Sequence, residues 1–121
     1  MPPTFEVSEA QEVVRALAAV ASADGAILDR EESFLEGFAI QHNIGAHVWL
    51  GSPLDEVSLA RAVTDPAKRR KCLEMCLTMA HTDHDYAPEE RAVIERIAAA
   101  FSIPPDELQA LTRAVAAARA R

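Results

Sequence analysis

Hydrophobic residues recur along the first part of the chain at intervals of three and four, the spacing of a helix with one buried face. This pattern predicts a helix from Ser8 to about Ser22, and Ser8 with Gln11 has the spacing of an N-terminal capping box. A second helix is predicted between Asp29, a favourable cap, and a stop near Asn43. No segment alternates with the period of two that would predict a strand.

Proline marks the starts of the later helices, because its ring suits the first turn of a helix and breaks the interior. Four dipeptides carry this signal: Ser52-Pro53, Asp65-Pro66, Ala87-Pro88 and Pro104-Pro105. Alanine is abundant and aromatic residues are scarce, which also favours closely packed helices. The sequence therefore predicts an all-α bundle of about six to seven helices.

The chain also matches itself in hydrophobic phase when it is shifted by 59 residues. We predict one domain over residues 1–121 with an internal pseudo-two-fold repeat. Its predicted parts are repeat one at about 8–45, connecting short helices at about 46–64, repeat two at about 65–103 and a C-terminal helix at about 105–119.

Each predicted repeat contains an acidic turn with an aspartate and, seven residues later, a glutamate. These pairs are Asp24 with Glu31 and Asp83 with Glu90. Carboxylate oxygens are the ligands of Ca²⁺ and Mg²⁺, and converging carboxylates repel one another unless a cation neutralises them. The alternative is that the acids cap and complement helix N-termini without any metal.

The second turn adds further candidate ligands, His81, His84 and Asp85, which could hold Zn²⁺ or another transition metal. The alternative is a polar helix end with exposed histidines. The turn is not an EF-hand, since Pro88 and Ile94 occupy loop positions that require glycine and glutamate.

A net charge of −7 makes nucleic acid an unfavourable partner. The basic run at residues 68–71 is interpreted either as a solvated helix face or as a local anion patch.

Cys72 and Cys76, four residues apart, are expected to be core residues of a reduced protein, with a soft-metal or redox pair as the alternative. We expect a cytoplasmic protein that does not itself enter the membrane, since neither a signal-peptide pattern nor a membrane-length apolar stretch occurs.

The segments Ala-Val-Ala-Ser-Ala-Asp-Gly-Ala-Ile, followed by Glu31, and Met-Ala-His-Thr-Asp-His-Asp-Tyr-Ala-Pro-Glu-Glu resemble the TerB-like tellurite-resistance family. They also resemble the N-terminal domain of a membrane-anchored DnaJ-type co-chaperone. The resemblance covers roughly residues 8–115.

This resemblance implies a pseudo-symmetric helical fold and an acidic, metal-associated surface formed by Asp24, Glu31, Asp83 and Glu90. It implies no catalytic activity and an association with tellurite or other chemical stress. His84 departs from the family pattern, which has glycine there.

The leading hypothesis is a non-enzymatic binding or scaffold domain that responds to a divalent cation (Ca²⁺, Mg²⁺ or Zn²⁺) and uses no organic cofactor. Its partners would be other proteins or a second copy in a homodimer. The alternative is a metal-independent interaction module that uses an apolar patch around Trp49 and Leu50. A metal-dependent hydrolase is a third possibility, although the sequence offers neither a nucleophile–base arrangement nor a phosphate loop.

Overall fold

The computed structural model of the chain describes residues 5–23, 25, 29–45, 54–81 and 87–119. Within these residues the chain forms helices and no strand, so the predicted all-α bundle is confirmed. The described helices are α1 (Val7–Ala21), α2 (Asp29–Gln41), α3 (Glu56–Ala62), α4 (Pro66–Ala80), α5 (Pro88–Ala100) and α6 (Pro105–Arg119).

The prolines predicted to open the last three helices are each the first residue of a helix. The Asp65 carboxylate completes the start of α4 by accepting a hydrogen bond from the Lys68 N–H at 3.1 Å. Helix α3 begins at Glu56, and the Asp55 carboxylate caps it by accepting hydrogen bonds from the Val57 and Ser58 N–H groups. The start predicted at Ser52-Pro53 lies outside the described residues.

The cap of α1 was predicted two residues too late and its first residue one residue too late. Its cap is Glu6, whose N–H donates to the Glu9 carboxylate at 2.8 Å, and Ser8 lies inside the helix. Phe5 precedes this cap and is buried, as is Ala10 in the second turn. Such apolar residues on either side of a helix start fix where the chain enters the helix. Burial of Phe5 therefore moves the start ahead of the serine.

Helix α1 lies at the centre of the bundle and packs against α2, α3, α4 and α5. Eight of its fifteen residues are buried, and all eight are alanine, valine or leucine. A helix with a single hydrophobic stripe packs against the core on one face only. The mainly small side chains of α1 allow neighbouring helices to approach closely on several sides. The chain thus buries one central helix and arranges the others around it.

Cys72 and Cys76 are free thiols buried in α4, so their prediction as core residues is confirmed. A hydrogen bond from one thiol to the other, together with burial, raises the pKa of Cys72 well above its ordinary value. A buried thiol with a raised pKa is a poor nucleophile. The pair therefore contributes packing.

The basic run at the start of α4 is neither a simple solvated face nor an anion patch, because three of its side chains tie α4 to other parts of the bundle. Lys68 pairs with Glu9 of α1 at 2.8 Å, and Arg70 pairs with Glu107 of α6 at 2.7 Å. Arg69 donates to backbone carbonyls at the ends of α3 and α5. The sequence did not show these contacts because three of the partners, Glu9, Glu107 and Phe101, lie 59, 37 and 32 residues away.

When the chain is shifted by 59 residues, the bounds of α1 fall on those of α4, and the bounds of α2 fall on those of α5. The turns that follow α2 and α5 also agree. Asn43 and Ser102 have φ angles of 59° and 58°, and the next residue of each turn donates back to Ala39 or Ala98. These local features are what a repeat would produce, while the pseudo-two-fold relation itself remains a prediction.

Candidate functional site

Glu31 and Glu90 are the two buried charged residues among those that the structure describes, with 4% and 3% of their surface exposed. Each is the third residue of its helix, in the first turns of α2 and α5. Burial of a carboxylate is unfavourable unless hydrogen bonds or a cation compensate for the lost hydration. Glu31 and Glu90 were chosen from their sequence spacing, and their burial sets them apart from the other acids that the structure describes.

Part of the compensation at Glu90 comes from the backbone. Its Oε1 atom accepts a hydrogen bond from the Ala87 N–H at 3.0 Å, which satisfies one of the unpaired donors at the start of α5. This contact is the capping role expected from the alternative interpretation. A carboxylate has about four acceptor positions, so this capping contact by itself does not exclude cation binding at Glu90.

The other acidic candidates, Asp24, Asp83 and Asp85, and the candidate ligand His84 lie outside the described residues. Within the described ranges, no cluster of three or more metal-ligating side chains occurs. The structure shows that the two glutamates are buried, and a metal-binding role of all four acids remains a prediction.

His81 ends α4, and its Nδ1 atom lies 2.7 Å from the Leu77 carbonyl oxygen. A hydrogen bond of this kind fixes the ring and directs Nε2 away from the helix, as in many metal-binding histidines. His42, just after α2, has the same contact with the Phe38 carbonyl at 2.9 Å and stacks on the Phe38 ring. His42 is not a predicted ligand, yet it makes the same contact. The carbonyl contact of His81 is therefore explained equally well by its position at the end of a helix.

Trp49 and Leu50, the predicted interaction residues, lie outside the described residues. The described part of the chain instead presents a groove of about 670 Å³ between α5 and α6. Its apolar lining includes Ala98, Ile103 and Leu108, and Arg91 and Arg113 contribute positive charge. Sequence reasoning missed this groove, although the adjacent alanines at 98–100 are a signal that a helix surface there is flat.

None of the described helices combines the length and the apolar character required to cross a membrane.

Comparison with known proteins gives one family and no individual relative. Residues 54–113, about half of the chain, match the family model "Tellurite resistance protein TerB". No curated protein and no solved structure matches the chain. The matched segment runs from the residues before α3 into α6 and includes the second acidic turn, whereas the first acidic turn precedes it. Over residues 54–113, the chain belongs to the TerB tellurite-resistance family.

Proposed function

We propose that this chain is a non-enzymatic binding or scaffold domain whose conformation responds to a divalent cation held by its acidic turns. The observation that carries the proposal is the burial of Glu31 and Glu90 in the first turns of α2 and α5. Both belong to the aspartate–glutamate pairs identified from sequence, and the TerB match includes the second pair. Asp24 and Asp83 are the proposed partner ligands.

The proposed mechanism is electrostatic. Carboxylates that are brought together lose hydration and repel one another, and a bound cation removes both penalties at once. Since Glu31 and Glu90 lie at helix starts, a cation there would fix the position of each helix relative to the turn before it. A protein partner would then meet one ordered surface in the loaded form and another in the free form.

The biological setting follows from the family as part of the proposal. TerB proteins are named for tellurite resistance, and we infer a role in tellurite or general chemical stress. The free thiols of Cys72 and Cys76 suit a reducing compartment, which supports the cytoplasm as the site of action.

The test is thermal unfolding of chelator-treated protein, scanned against Ca²⁺, Mg²⁺, Mn²⁺ and Zn²⁺. Binding to the folded state alone should stabilise by about 2.7 kcal/mol at a hundredfold excess over Kd. We expect the double variant Glu31→Gln/Glu90→Gln to lose this cation-dependent increment, whatever its stability in chelator. The matched control is Glu32→Gln/Glu89→Gln, which neutralises the exposed neighbouring acids and should keep it.

Two results would contradict the proposal: no saturable shift with any cation, or an equal shift in both double variants. A response to Zn²⁺ alone would direct attention to the histidines. In that case His81→Gln should abolish the increment and His42→Gln, with the same carbonyl contact, should retain it.

A metal-independent interaction module is the second candidate function, and the groove between α5 and α6 is the observation that favours it. Partner binding that persists unchanged in chelator would support this alternative.

A further inference from the structure

Sulfur-containing side chains form a buried stripe along helix α4. Cys72, Cys76 and Met79 are spaced by four and three residues, so they lie on one side of the helix, and each has 0% of its surface exposed. Residues four apart in a helix have their Cβ atoms about 5–6 Å from each other. The stripe therefore brings the two thiols of Cys72 and Cys76 together inside the core.

Burial by itself does not require sulfur at these positions. At the offset of 59 residues, helix α1 has Val13, Leu17 and Val20 in the same three places, and these residues are equally buried. Aliphatic side chains thus fill the corresponding stripe of a helix that has the same bounds. The sulfur atoms of α4 are a chemical difference between two helices of similar placement.

The two thiols have each other as polar partners. A hydrogen bond joins Cys72 to Cys76, and neither thiol has another polar partner in the part of the chain that the structure describes. This contact, with burial, raises the pKa of Cys72, so the thiols stay protonated until an ion displaces their protons. An ion placed between them would meet two soft donors and no competing oxygen or nitrogen.

The number of donors selects the kind of ion. Thiolate sulfur is a soft ligand and binds soft ions. A structural Zn²⁺ site needs four ligands, and within the described ranges no third histidine, cysteine or carboxylate joins the pair. A soft ion that bonds two sulfurs in line needs no further ligand. With metal–sulfur bonds of about 2.3 Å it would separate the sulfurs by about 4.6 Å, which is within the Cβ spacing of this interval.

The buried position also selects the charge of the ion, because uncompensated charge inside a protein is unfavourable. A divalent ion displaces one proton from each thiol, M²⁺ + 2 R–SH → M(SR)₂ + 2 H⁺, and leaves a neutral complex in the core. A monovalent ion such as Cu⁺, held by two thiolates, would leave one negative charge there. The pair therefore favours a soft divalent ion.

We propose that Cys72 and Cys76 form a two-coordinate thiolate site for a soft divalent ion of the mercuric class. Both thiols are inaccessible in the closed bundle, so the ion enters when α4 opens locally. The site is independent of the acidic turns, since its donors are sulfur atoms and the donors proposed there are carboxylate oxygens.

The experiment is a titration of the reduced full chain with Hg²⁺, followed by native mass spectrometry and circular dichroism. We expect one ion per chain, a mass that corresponds to the loss of two protons, and retention of the helical signal. Glutathione is then added as a competing monothiol. Two thiols on one chain hold an ion together at a high effective concentration, so the parent chain should resist this competition.

The informative variants are Cys72→Val and Cys76→Leu, which introduce the residues that α1 has in the same places. Each keeps one thiol in an aliphatic core. We expect both to release the ion at glutathione concentrations at least about a hundredfold lower than the parent chain requires. Met79→Leu, which removes a sulfur from the same stripe at similar volume, is the matched control and should retain the ion.

Three results would overturn the proposal. The first is release of the ion from the parent chain at the same glutathione concentration as from the two cysteine variants. The second is loss of the helical signal on binding, because the unfolded chain would then be the species that holds the ion. The third is an equal loss of binding in Met79→Leu, which would assign the effect to repacking of the core.

Discussion

Arg69 is the residue on which three parts of the bundle converge. Its guanidinium donates to the carbonyl oxygens of Ala60 at 2.8 Å, Val63 at 2.6 Å and Phe101 at 3.1 Å. It also lies over the Phe101 ring, with 5.3 Å between the guanidinium carbon and the ring centroid. Carbonyls at helix ends lack helical partners, so one planar cation satisfies groups from α3 and α5 together.

We predict that Arg69→Met lowers the free energy of unfolding by about 2–4 kcal/mol, because it leaves these carbonyls without their donor. Arg69→Lys should recover only part of the loss, since an ammonium cannot reproduce the planar set of donors. Chemical denaturation measures both variants. Lys71→Met, from the same basic run, is the control and should change stability by no more than about 0.5 kcal/mol. Equal effects at both positions would contradict the specific role of Arg69.

At the scale of the residue, sequence spacing was informative for Glu31 and Glu90 and uninformative for Arg69. A glutamate three places into a predicted helix can be recognised from local sequence, because helix starts favour acids there. The partners of Arg69 include a carbonyl 32 residues away, which no local pattern specifies.

The ends of helices α2 and α5 are built in the same way, with different residues in the left-handed position. Asn43 has a φ of 59° and Ser102 a φ of 58°. Each is followed by an isoleucine whose N–H donates back to an alanine carbonyl, at 2.8 Å after Asn43 and 2.9 Å after Ser102. Asparagine adopts this conformation more readily than serine does.

We predict that Ser102→Gly raises the free energy of unfolding by about 0.5–1 kcal/mol. Relief of the left-handed conformation outweighs the greater backbone entropy of glycine in the unfolded chain. Asn43→Gly is the matched control and should change stability little, since asparagine already tolerates the position. Denaturant melts of both variants decide the point. A larger gain at Asn43 than at Ser102 would be inconsistent with this account.

At the scale of the element, helix starts were predictable where the capping chemistry is local. Pro66, Pro88 and Pro105 each open a helix where expected, because the ring restricts φ within that residue. The start of α1 was displaced because the burial of Phe5, a tertiary contact, favours the earlier cap.

At the scale of the whole molecule, an ion pair between Glu9 and Lys68 joins the two predicted repeats. The two residues are 59 positions apart in the sequence. Burial works to raise the pKa of the Glu9 carboxyl, but the Glu6 N–H and the Lys68 ammonium outweigh it and hold the pKa below 4.5. The hydrogen bond to Glu9 is the largest cause that raises the pKa of Lys68 above 10.5. Each group is therefore more easily charged in the folded protein.

The sign of the pH dependence follows. A depressed carboxyl pKa contributes stability that is present above the unfolded value and lost as the pH falls through the folded value. We predict that Glu9→Gln is less stable than the parent chain at neutral pH, and that the difference shrinks as the pH falls from about 6 to about 3. The pH dependence has the opposite sign for Lys68. Its contribution to stability is present at lower pH and is lost as the pH rises through its raised pKa.

Denaturant unfolding at a series of pH values measures this difference. Repeating the comparison in a Lys68→Met background should remove the part of the pH dependence that the ammonium supplies. A stability difference that stays constant between about pH 3 and pH 7 would show that the charge of Glu9 contributes nothing.

The sequence by itself determined the helical class, the starts of α4, α5 and α6 and the position of Glu31 and Glu90 in the first turns of α2 and α5. Each of these depends on chemistry within one or two helical turns, which composition and spacing record directly. Tertiary structure decided which helix is central, what the basic run contacts and where the groove lies. These features depend on which side chains meet after the chain has folded, and contacts between distant residues leave no periodic trace in a single sequence.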